Sequence, residues 1–272
     1  MNKTLLYCLM VLLTLLSACS SGEVKVDQIQ NLVCFWDFSE EAGKARISKY
    51  GQSYGLAEGD KPIARNNEGL FSGHSADIRE GQWFYISGEL CPALNIHGKN
   101  AGVTVVAWIK RNRKSYNQCE AIAGIWNETE KKRQYCLFLN LGIWESAQQV
   151  GGHISGVGGP TEGYKYCMDA AIGNTIVPYD LWQCIAFTYD GKEIRSFLNG
   201  VLDKRENTNP YPYDLGIFDG GEQKGDFTVG AVHRSNEMGN FFVGKICGLA
   251  VYNRALNEEE MAYLASNIKN TD

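Results

Sequence analysis

Short runs rich in β-branched and aromatic residues fill the chain from Leu32 to Tyr252, and Gly, Asn, Asp or Pro separates each run from the next. The runs show almost no apolar spacing of period 3.6, so they predict strands and not helices. Strands without interleaved helices predict an all-β fold, an antiparallel sandwich or barrel. The strands are expected at residues 31–38, 83–87, 102–111, 120–126, 134–141, 152–157, 182–189, 193–198, 227–232 and 244–252.

Two dipeptides indicate where consecutive strands reverse direction. Asp190-Gly191 and Asn199-Gly200 each follow a β-rich run, and both residues of such a pair can adopt positive φ. That conformation suits two-residue hairpin turns, whose twist matches the twist of the flanking strands. Residues 182–202 are therefore expected to form a β-meander.

One helix is predicted, over residues 257–265 near the C-terminal end. Asn257 can cap its first turn, and Glu260 lies three residues further on, as in a capping box. Acidic residues in the first turn also favour the positive end of the helix dipole. An apolar stripe would pack this helix on the sandwich, so that it forms no separate domain. The stripe consists of Leu256, Met261, Leu264 and Ile268.

The N-terminal residues are typical of an export signal. Lys3 precedes an apolar run over residues 5–16, and small residues follow it. The run is too short to span a bilayer as a mature helix, so residues 1–18 are predicted to be a secretory signal peptide.

The end of this signal, Leu-Ser-Ala-Cys, resembles the bacterial lipobox, in which the cysteine thiol receives a diacylglyceryl group. The resemblance implies that Cys19 is lipidated and that residues 19–30 tether a domain over residues 31–272 to a membrane. The protein is then expected in the bacterial cell envelope, at the outer membrane or cell surface. Ordinary cleavage after Ala18 is the alternative.

The composition narrows the classes of partner. The net charge is −5 and no basic run occurs, so there is no electrostatic footprint for nucleic acid, nor for lipid headgroups beyond the anchor. Apart from Cys8 and Cys19 the cysteines are odd in number, and none has zinc-site spacing. Most are interpreted as small buried side chains, although export would permit one or two disulfides. They are Cys34, Cys91, Cys119, Cys136, Cys167, Cys184 and Cys247.

Five segments match a known family in order and spacing. They are residues 70–75 (LFSGHS), 103–110 (VTVVAWIK), 182–191 (WQCIAFTYDG), 194–200 (IRSFLNG) and 242–260 (FVGKICGLAVYNRALNEEE). They resemble the laminin-G-like domains of the concanavalin A-like lectin/glucanase superfamily, in their bacterial form. The resemblance implies a jelly-roll sandwich of two curved antiparallel sheets, one of them concave. It also implies glycan binding, or a catalytic site on the concave face.

Catalysis would need carboxylates that this chain does not visibly supply. The glucanase branch of the family has a strand reading Glu-x-Asp-x-x-Glu, whose alternation points the carboxylates into the cleft. The nearest string here, residues 58–63 (EGDKPI), lacks the last carboxylate and contains Pro62, which a central strand cannot hold. No catalytic residue is assigned, and a glycoside hydrolase or polysaccharide lyase remains an alternative.

Calcium is the one cofactor that the resemblance suggests. Many family members hold a structural calcium ion, to which an aspartate commonly contributes at the position that Cys247 occupies here. Calcium prefers oxygen ligands and a thiol is a poor one, so Cys247 argues against this site. Asp37 and Asp77 are oxygen donors in the expected region, but they are interpreted as turn-capping residues. The metal ligands are therefore left unassigned.

Glycan binding needs aromatic faces surrounded by polar groups. Such groups occur in residues 126–128, 144–145, 153–166 and 233–236. The predicted ligand-binding residues are Trp126, Asn127, Trp144, Glu145, His153, Tyr164 and Arg234. The tryptophans of the framework strands are expected to fill the core instead. These are Trp36, Trp108 and Trp182.

These observations favour an envelope lipoprotein that binds a polysaccharide or a host glycan through a non-catalytic, lectin-like sandwich. A glycan-cleaving enzyme with an unfamiliar carboxylate pair is the first alternative. A structural or protein-binding module of an envelope complex is the second, with envelope proteins as its partners.

Overall fold

A computed structural model describes residues 24–268. The predicted signal peptide over residues 1–18 and the predicted lipidation site Cys19 lie outside the described residues. Within residues 24–268, no helix is long and apolar enough to cross a membrane.

The described residues form two antiparallel sheets and one α-helix, α1 (Glu258–Leu264). The strands are β1 (Leu32–Trp36), β2 (Arg46–Ile47), β3 (Tyr50–Gly51), β4 (Gly55–Glu58), β5 (Ala64–Asn66), β6 (Ser75–Ile78), β7 (Phe84–Ile86), β8 (Val103–Arg111), β9 (Glu120–Asn127), β10 (Lys132–Leu139), β11 (Val150–Ile154), β12 (Ala170–Ile172), β13 (Trp182–Tyr189), β14 (Glu193–Leu198), β15 (Val201–Leu202), β16 (Tyr211–Pro212), β17 (Phe227–Val229), β18 (Val232–Arg234), β19 (Glu237–Gly239) and β20 (Gly244–Tyr252). Single 3₁₀ turns occur at Val26–Gln28, Gly88–Leu90, Pro92–Leu94 and Gly221–Gln223.

The strand order is that of a jelly-roll sandwich. Sheet 1 has the order β15-β14-β13-β8-β20-β1-β3, with β16 beside β14 and with β6, followed by β5, beside β20. Sheet 2 has the order β12-β11-β10-β9-β17-β7-β4-β2, and the β18–β19 hairpin lies beside β9. Strands β9 to β12 are neighbours within sheet 2 and β13 to β15 within sheet 1, whereas the chain crosses between the sheets from β8 to β9 and from β12 to β13. The predicted all-β sandwich is confirmed.

The main core lies between the two sheets, and the alternation of side chains builds it. On β8, Val105, Ala107 and Ile109 point into this core, whereas Val106 and Trp108 lie on the outer face of sheet 1. The sheets approach closely at Gly152 of β11, where an added Cβ would lie 2.4 Å from the Cβ of a phenylalanine in β13. Only glycine fits at such an approach.

The outer face of sheet 1 is covered by α1 and by the segment before β1. Asn257 and Glu260 form the predicted capping box, and the apolar side of the helix packs on the sheet. Trp108 Nε1 donates hydrogen bonds to the Leu264 carbonyl at 3.2 Å and to Asn267 Oδ1 at 3.1 Å. The predicted helix and its packing are confirmed. Residues 24–29, inside the predicted tether, also pack on this face.

Each of the ten predicted strands overlaps a strand of the structure, and three of them, β13, β14 and β20, have the predicted bounds. All of the strands without a prediction have two to four residues, too few for a strand pattern to be recognised. Among the tryptophans assigned to the core, Trp36 and Trp108 are fully buried. Trp182 is only partly buried, because its Nε1 donates to Glu68 at 3.1 Å near the surface.

The two predicted hairpins exist, but their turns differ. Asn199 and Gly200 both have positive φ, 50° and 79°, and join Leu198 to its partner Val201, as predicted for a two-residue turn. The Asp190-Gly191 hairpin is longer, because β13 and β14 first pair at Tyr189 and Ile194. The prediction of a two-residue turn there was wrong. The Asp190 carboxylate instead accepts hydrogen bonds from the backbone N–H groups of residues 192 and 193, both at 2.9 Å, which favours the wider loop.

A buried ion pair joins the two sheets where the chain passes from β8 to β9. Arg111 Nη2 lies 2.7 Å from Glu120 Oε1, its Nε also donates to this carboxylate, and both side chains are 1–2% exposed. Lys114 Nζ lies 3.8 Å from the same carboxylate. Glu120 thus neutralises a guanidinium that water does not reach, and removing it would leave a buried, unpaired charge.

We expect Glu120→Gln to lower the free energy of unfolding by about 3–5 kcal/mol, because breaking one partner of a buried pair carries a cost of this size. Equilibrium unfolding in urea measures the change. The matched control is Glu193→Gln, which removes the partner of Arg195 in a half-exposed pair and should change stability by less than about 1 kcal/mol. Equal losses in the two variants would refute the special role of the buried pair.

Candidate functional site

A cavity of about 340 Å³ lies on the outer face of sheet 2, and we call it the central cavity. Its floor comes from β9, β10 and β11, whose inward side chains already fill the main core. The alternation of β10 sends Cys136 and Phe138 to the outer face, and that of β11 sends His153 there. The walls come from the loops after β10 and β11 and from the β18–β19 hairpin. The cavity is therefore built on rigid strands and bounded by loops.

Three aromatic rings form the floor of the central cavity. The Trp126 and His153 ring centres lie 4.8 Å apart, and Phe138 packs edge-on against both, at 5.8 Å and 5.5 Å. All three side chains are at most 4% exposed. The Arg133 guanidinium carbon lies 5.9 Å from the centre of the Trp126 ring, so a cation lies beside the floor. The floor is thus a cluster of three buried rings that are inclined to one another and hold one another in place.

His153 is neutral in this environment. Burial, together with the nearby positive charge of Arg133, lowers the pKa of His153 to about 3. Its Nδ1 lies 3.1 Å from the backbone carbonyl oxygen of Asp169, so in the neutral ring Nδ1–H donates this hydrogen bond. Nε2 is then left as a hydrogen-bond acceptor, suited to a hydroxyl donor.

Polar groups stand around the rim of the central cavity. Glu128 Oε1 accepts a hydrogen bond from Trp126 Nε1 at 3.3 Å, and Arg234 Nη1 donates to Asn240 Oδ1. The Tyr166 ring also lines the cavity and is 47% exposed. A carboxylate, a guanidinium, an amide and an exposed aromatic ring together provide both donors and acceptors for a polar ligand.

The structure brings three of the predicted ligand-binding residues together, namely Trp126, His153 and Arg234. The other four do not line the central cavity. Asn127 caps the turn after β9, because its Oδ1 accepts from the backbone N–H of Glu130 at 2.9 Å. Trp144 and Tyr164 contact each other edge-on, with ring centres 6.3 Å apart, in the loops beyond Tyr166.

Glu145, the last of these four, follows Trp144 in a turn where both residues have positive φ, 55° and 52°. Its carbonyl oxygen and that of Trp144 accept hydrogen bonds from Arg205. Trp144 Nε1 donates to the Met168 carbonyl at 3.0 Å, which ties this turn to the loop before β12. These residues support the loops near the cavity.

Sequence reasoning missed several residues that shape the cavity. Phe138 and Asn240 line the cavity, and Cys136 packs with Phe138 in the cluster on this face, but none of the three lies in a polar-aromatic stretch. The alternation within residues 134–141 places Phe138 and Cys136 on the opposite face from the core, and this signal could have identified them. Asn240 and the loop residue Ile143 reach the cavity only through the tertiary fold, which no local pattern predicts.

Shared lining residues link the central cavity to a second cavity, and the second cavity to a third. Arg234 also lines a cavity of about 350 Å³ at the β18–β19 hairpin, which we call the hairpin cavity. Met238 lines both the hairpin cavity and a third, the acidic cavity, of about 290 Å³. The acidic cavity is lined by Glu58, Asp60, Trp83, Tyr85, Asp226 and His233, together with Gly59 and Met238. Shared lining residues thus connect three cavities across one face of the sandwich.

The carboxylates of the acidic cavity are mostly engaged by neighbouring groups. Glu58 accepts from Arg46 at 3.0 Å and from a backbone N–H, and Asp226 pairs with His233 at 3.5 Å. The hydrogen bond from His233, with that from the backbone N–H of Gly88, lowers the pKa of Asp226 despite its burial. Asp226 therefore stays ionised, whereas a general acid needs a raised pKa.

The thiols near the central cavity are held in their protonated form. Burial raises the pKa of Cys167 to about 11 and also raises that of Cys119, so both remain protonated at neutral pH. All seven cysteines of the described residues are unbonded, and six of them are fully buried. This agrees with their interpretation as small buried side chains.

The residues at the family's calcium position do not fit calcium. Cys247 is buried in the apolar cluster between sheet 1 and α1. Asp37 is engaged by Lys49 at 2.9 Å and by a backbone N–H, and Asp77 lies 3.8 Å from Arg79. Within residues 24–268, no group of three or more His, Cys, Asp and Glu side chains could hold a metal ion. Oxygen donors are thus not gathered around Cys247.

The burial of His153 predicts a specific pH dependence of stability. An unfolded histidine titrates near pH 6.5, whereas folded His153 binds its proton only near pH 3. Stability is therefore lost as the pH falls from about 6.5 towards 3, because only the unfolded chain takes up this proton. His153→Gln removes the titration, so the slope of unfolding free energy against pH should decrease by up to about 1.4 kcal/mol per pH unit. Urea unfolding between pH 4 and pH 8 measures both slopes, and parallel slopes would contradict the prediction.

Comparisons with known proteins agree with this architecture. The family model described as the concanavalin A-like lectin/glucanases superfamily matches residues 87–262. No curated protein matches the chain. Among solved structures, domain 4 of AbnA, an extracellular GH43 arabinanase from Geobacillus stearothermophilus in complex with arabinotriose, is similar in fold. It has a TM-score of 0.58 and 16% identity over 86% of this chain and 98% of that one.

Two sialidase structures are also similar in fold. The CBM40 of the Ruminococcus gnavus IT-sialidase, bound to α2,3-sialyllactose, has a TM-score of 0.50 and 18% identity over 70% of this chain and 96% of that one. The Trypanosoma rangeli sialidase has a TM-score of 0.56 and 15% identity over 90% of this chain and 34% of that one. At such identities the likeness concerns the fold alone. The family match, however, spans more than half of the residues, and the chain belongs to the concanavalin A-like lectin/glucanase superfamily.

Proposed function

We propose that this chain is a carbohydrate-binding module of the bacterial cell envelope, which holds a glycan on the outer face of sheet 2 without cleaving it. The observation that carries the proposal is the central cavity, with its aromatic floor of Trp126, Phe138 and His153 and its polar rim. Its volume of about 340 Å³ lies within the range of about 300–1,000 Å³ that small-molecule sites occupy.

The chemistry of the cavity suits a sugar. The C–H faces of a sugar ring pack on exposed aromatic surface, here Tyr166 at the rim. Sugar hydroxyls need both donors and acceptors, which Arg234, Asn240, Glu128 and neutral His153 provide. Because the floor is rigid and already packed, little conformational entropy is lost on binding.

The solved structures of similar fold support the choice of ligand class. The arabinanase domain was solved with arabinotriose and the CBM40 with α2,3-sialyllactose. These sugars are ligands of those proteins. They support a carbohydrate ligand for this chain but do not identify which sugar it binds.

We expect Tyr166→Ala to weaken glycan binding about tenfold, because it removes the exposed aromatic surface of the rim. A glycan array and affinity gels first identify a ligand of the purified protein, and calorimetric titration then compares the variants. The matched control is Tyr263→Ala. Tyr263 is 39% exposed and lies on α1, which covers the other sheet, so binding should be unchanged.

Two results would count against this function. A blank array and blank gels for the folded protein would exclude glycan binding over the sugars tested, and equal weakening by the two tyrosine variants would separate binding from the central cavity. The glycan-cleaving alternative is favoured by the three carboxylates of the acidic cavity. Chromatography of a glycan after incubation with the protein tests this alternative. Cleavage products that the Asp226→Asn variant no longer forms would show that the protein is an enzyme and not only a binding module.

The proposal of an envelope location rests on the sequence of the N-terminal residues. We propose that Cys19 carries the lipid, and that the membrane is thus a partner of the protein through this anchor. Each buried methylene of an acyl chain contributes about 0.8 kcal/mol to membrane binding. Envelope proteins would then be within reach as further partners.

Cys19→Ala should move the protein from the detergent phase to the aqueous phase in Triton X-114 partitioning of the expressing bacterium, because the acyl chains are no longer attached. Cys8→Ala is the matched control, since it also removes a thiol from the N-terminal residues but leaves the lipobox unchanged. If the Cys19 variant still entered the detergent phase, the anchor would have to lie elsewhere.

A further inference from the structure

A fourth cavity, of about 360 Å³, lies at the connection between β8 and β9, and it carries no role in the function proposed above. We call it the basic cavity. Its cationic side chains are Arg111, Arg113 and Lys114, and its one acidic lining residue is Glu120. Ser115, Asn117, Asn140 and Gln148 add hydroxyl and amide groups. Three cations against one carboxylate leave an excess of positive charge.

Arg111 and Lys114 are accounted for by the fold. Arg111 holds the buried ion pair with Glu120 between the sheets. The Lys114 ammonium donates to the Phe241 carbonyl at 3.0 Å, and burial lowers its pKa. Both cations therefore already have partners within the protein.

Arg113 is not explained in this way. Its guanidinium carbon lies 4.4 Å from the centre of the Tyr179 ring, and Arg111 lies at the same distance from that ring. Among the described residues, the Arg113 guanidinium has no hydrogen-bond or ion-pair partner, although it carries five N–H donors. Stacking on Tyr179 fixes the plane of a cation whose donors remain available, close to a second cation of like charge.

The basic cavity shares a lining residue with the hairpin cavity, which in turn shares one with the central cavity. Tyr116 lines both the basic cavity and the hairpin cavity, and Arg234 lines both the hairpin cavity and the central cavity. Tyr116 donates to Glu80 at 2.6 Å, and Glu80 lines the hairpin cavity but not the basic cavity. A ligand that extends from the central cavity along the hairpin would reach Arg113.

We propose that the basic cavity binds the anionic substituent, a carboxylate or a sulfate, of an acidic glycan, with Arg113 as the residue that contacts it. This inference rests on the proposed glycan-binding function and specifies its substrate class. A planar guanidinium held against an aromatic ring matches two oxygens of such a group in a bidentate contact. The excess charge of the cavity also favours an anion over a neutral sugar.

Glucuronate, glucose 6-sulfate, inorganic sulfate and glucose are the probes. Each is titrated into the purified full chain at low salt, and the arginine Nε–Hε resonances are followed by NMR. We expect the two acidic sugars to bind more tightly than glucose, with the shifts concentrated on Arg113. Arg113→Gln should weaken their binding about tenfold. Arg113→Lys should retain part of it, and 0.5 M NaCl should weaken it further by screening.

Lys204→Gln is the matched control. Lys204 is exposed beyond β15 in sheet 1 and lines none of the four cavities, so this variant removes one positive charge without changing a cavity wall. Arg113 is itself exposed, so its replacement should not unfold the chain, and urea unfolding of each variant checks this. An equal effect of the two variants would mean that only the net charge of the protein matters, and the inference would be overturned.

The remaining outcomes separate this inference from the proposed function. Tight binding of neutral glycans with no preference for acidic sugars would overturn the basic cavity and leave the glycan site intact. If acidic sugars bind in an Arg113-dependent way but the glycan array is blank, the basic cavity is an anion site and the proposal of an extended glycan ligand is wrong. Inorganic sulfate that binds as tightly as glucose 6-sulfate would reject the sugar as part of the ligand.

Discussion

The close face-to-face packing of the two sheets is the constraint on which the rest of the structure depends. At Gly152 the sheets approach so closely that β11 has no room for a side chain opposite Phe187. Each central strand must therefore direct one alternate set of side chains into a shared, tightly packed core. The other set has to be covered from outside or exposed to water. The outer faces of the sheets are where this protein differs from a generic sandwich.

The two outer faces are covered in different ways. Sheet 1 is closed by α1 and by residues 24–29, and the Trp108 indole binds the end of the helix. Sheet 2 is covered by loops and by the β18–β19 hairpin, which do not fill the space above its strands. The incomplete cover leaves a cavity above an apolar floor. The polar groups at its rim remain in contact with water. The function proposed for this chain follows from this second kind of covering.

The sequence was informative where a pattern is local and long enough. Strands β13, β14 and β20, the capping box at Asn257 and the Asn199-Gly200 turn could all be predicted from neighbouring residues. The Asp190 hairpin was predicted too short, because the bonds of one side chain to two backbone N–H groups outweighed the general preference of the dipeptide. Two-residue strands such as β2 exist only because a neighbouring strand pairs with them.

The site was less predictable than the fold, for a related reason. Polar-aromatic stretches identified Trp126, His153 and Arg234, which do line one cavity. The same criterion selected Trp144 and Asn127, whose polar atoms bond to nearby loops. A local pattern records the kind of side chain, but whether that side chain is engaged depends on distant residues. Arg113 is the opposite case. Its side chain is available for a ligand, but its neighbouring residues do not mark it out from Arg111, which is fully engaged.

The charges of the linked cavities are arranged unevenly, and this limits how a ligand can bind. Three cations surround the basic cavity, whereas Glu58, Asp60 and Asp226 line the acidic cavity. The hairpin cavity shares a lining residue with both. A chain-like ligand that carries negative charge would be attracted towards Arg113 and repelled from the acidic cavity. The neutral His153 floor imposes no such preference. The charges of the basic and acidic cavities would then set the orientation of the ligand, and packing in the central cavity would set its affinity.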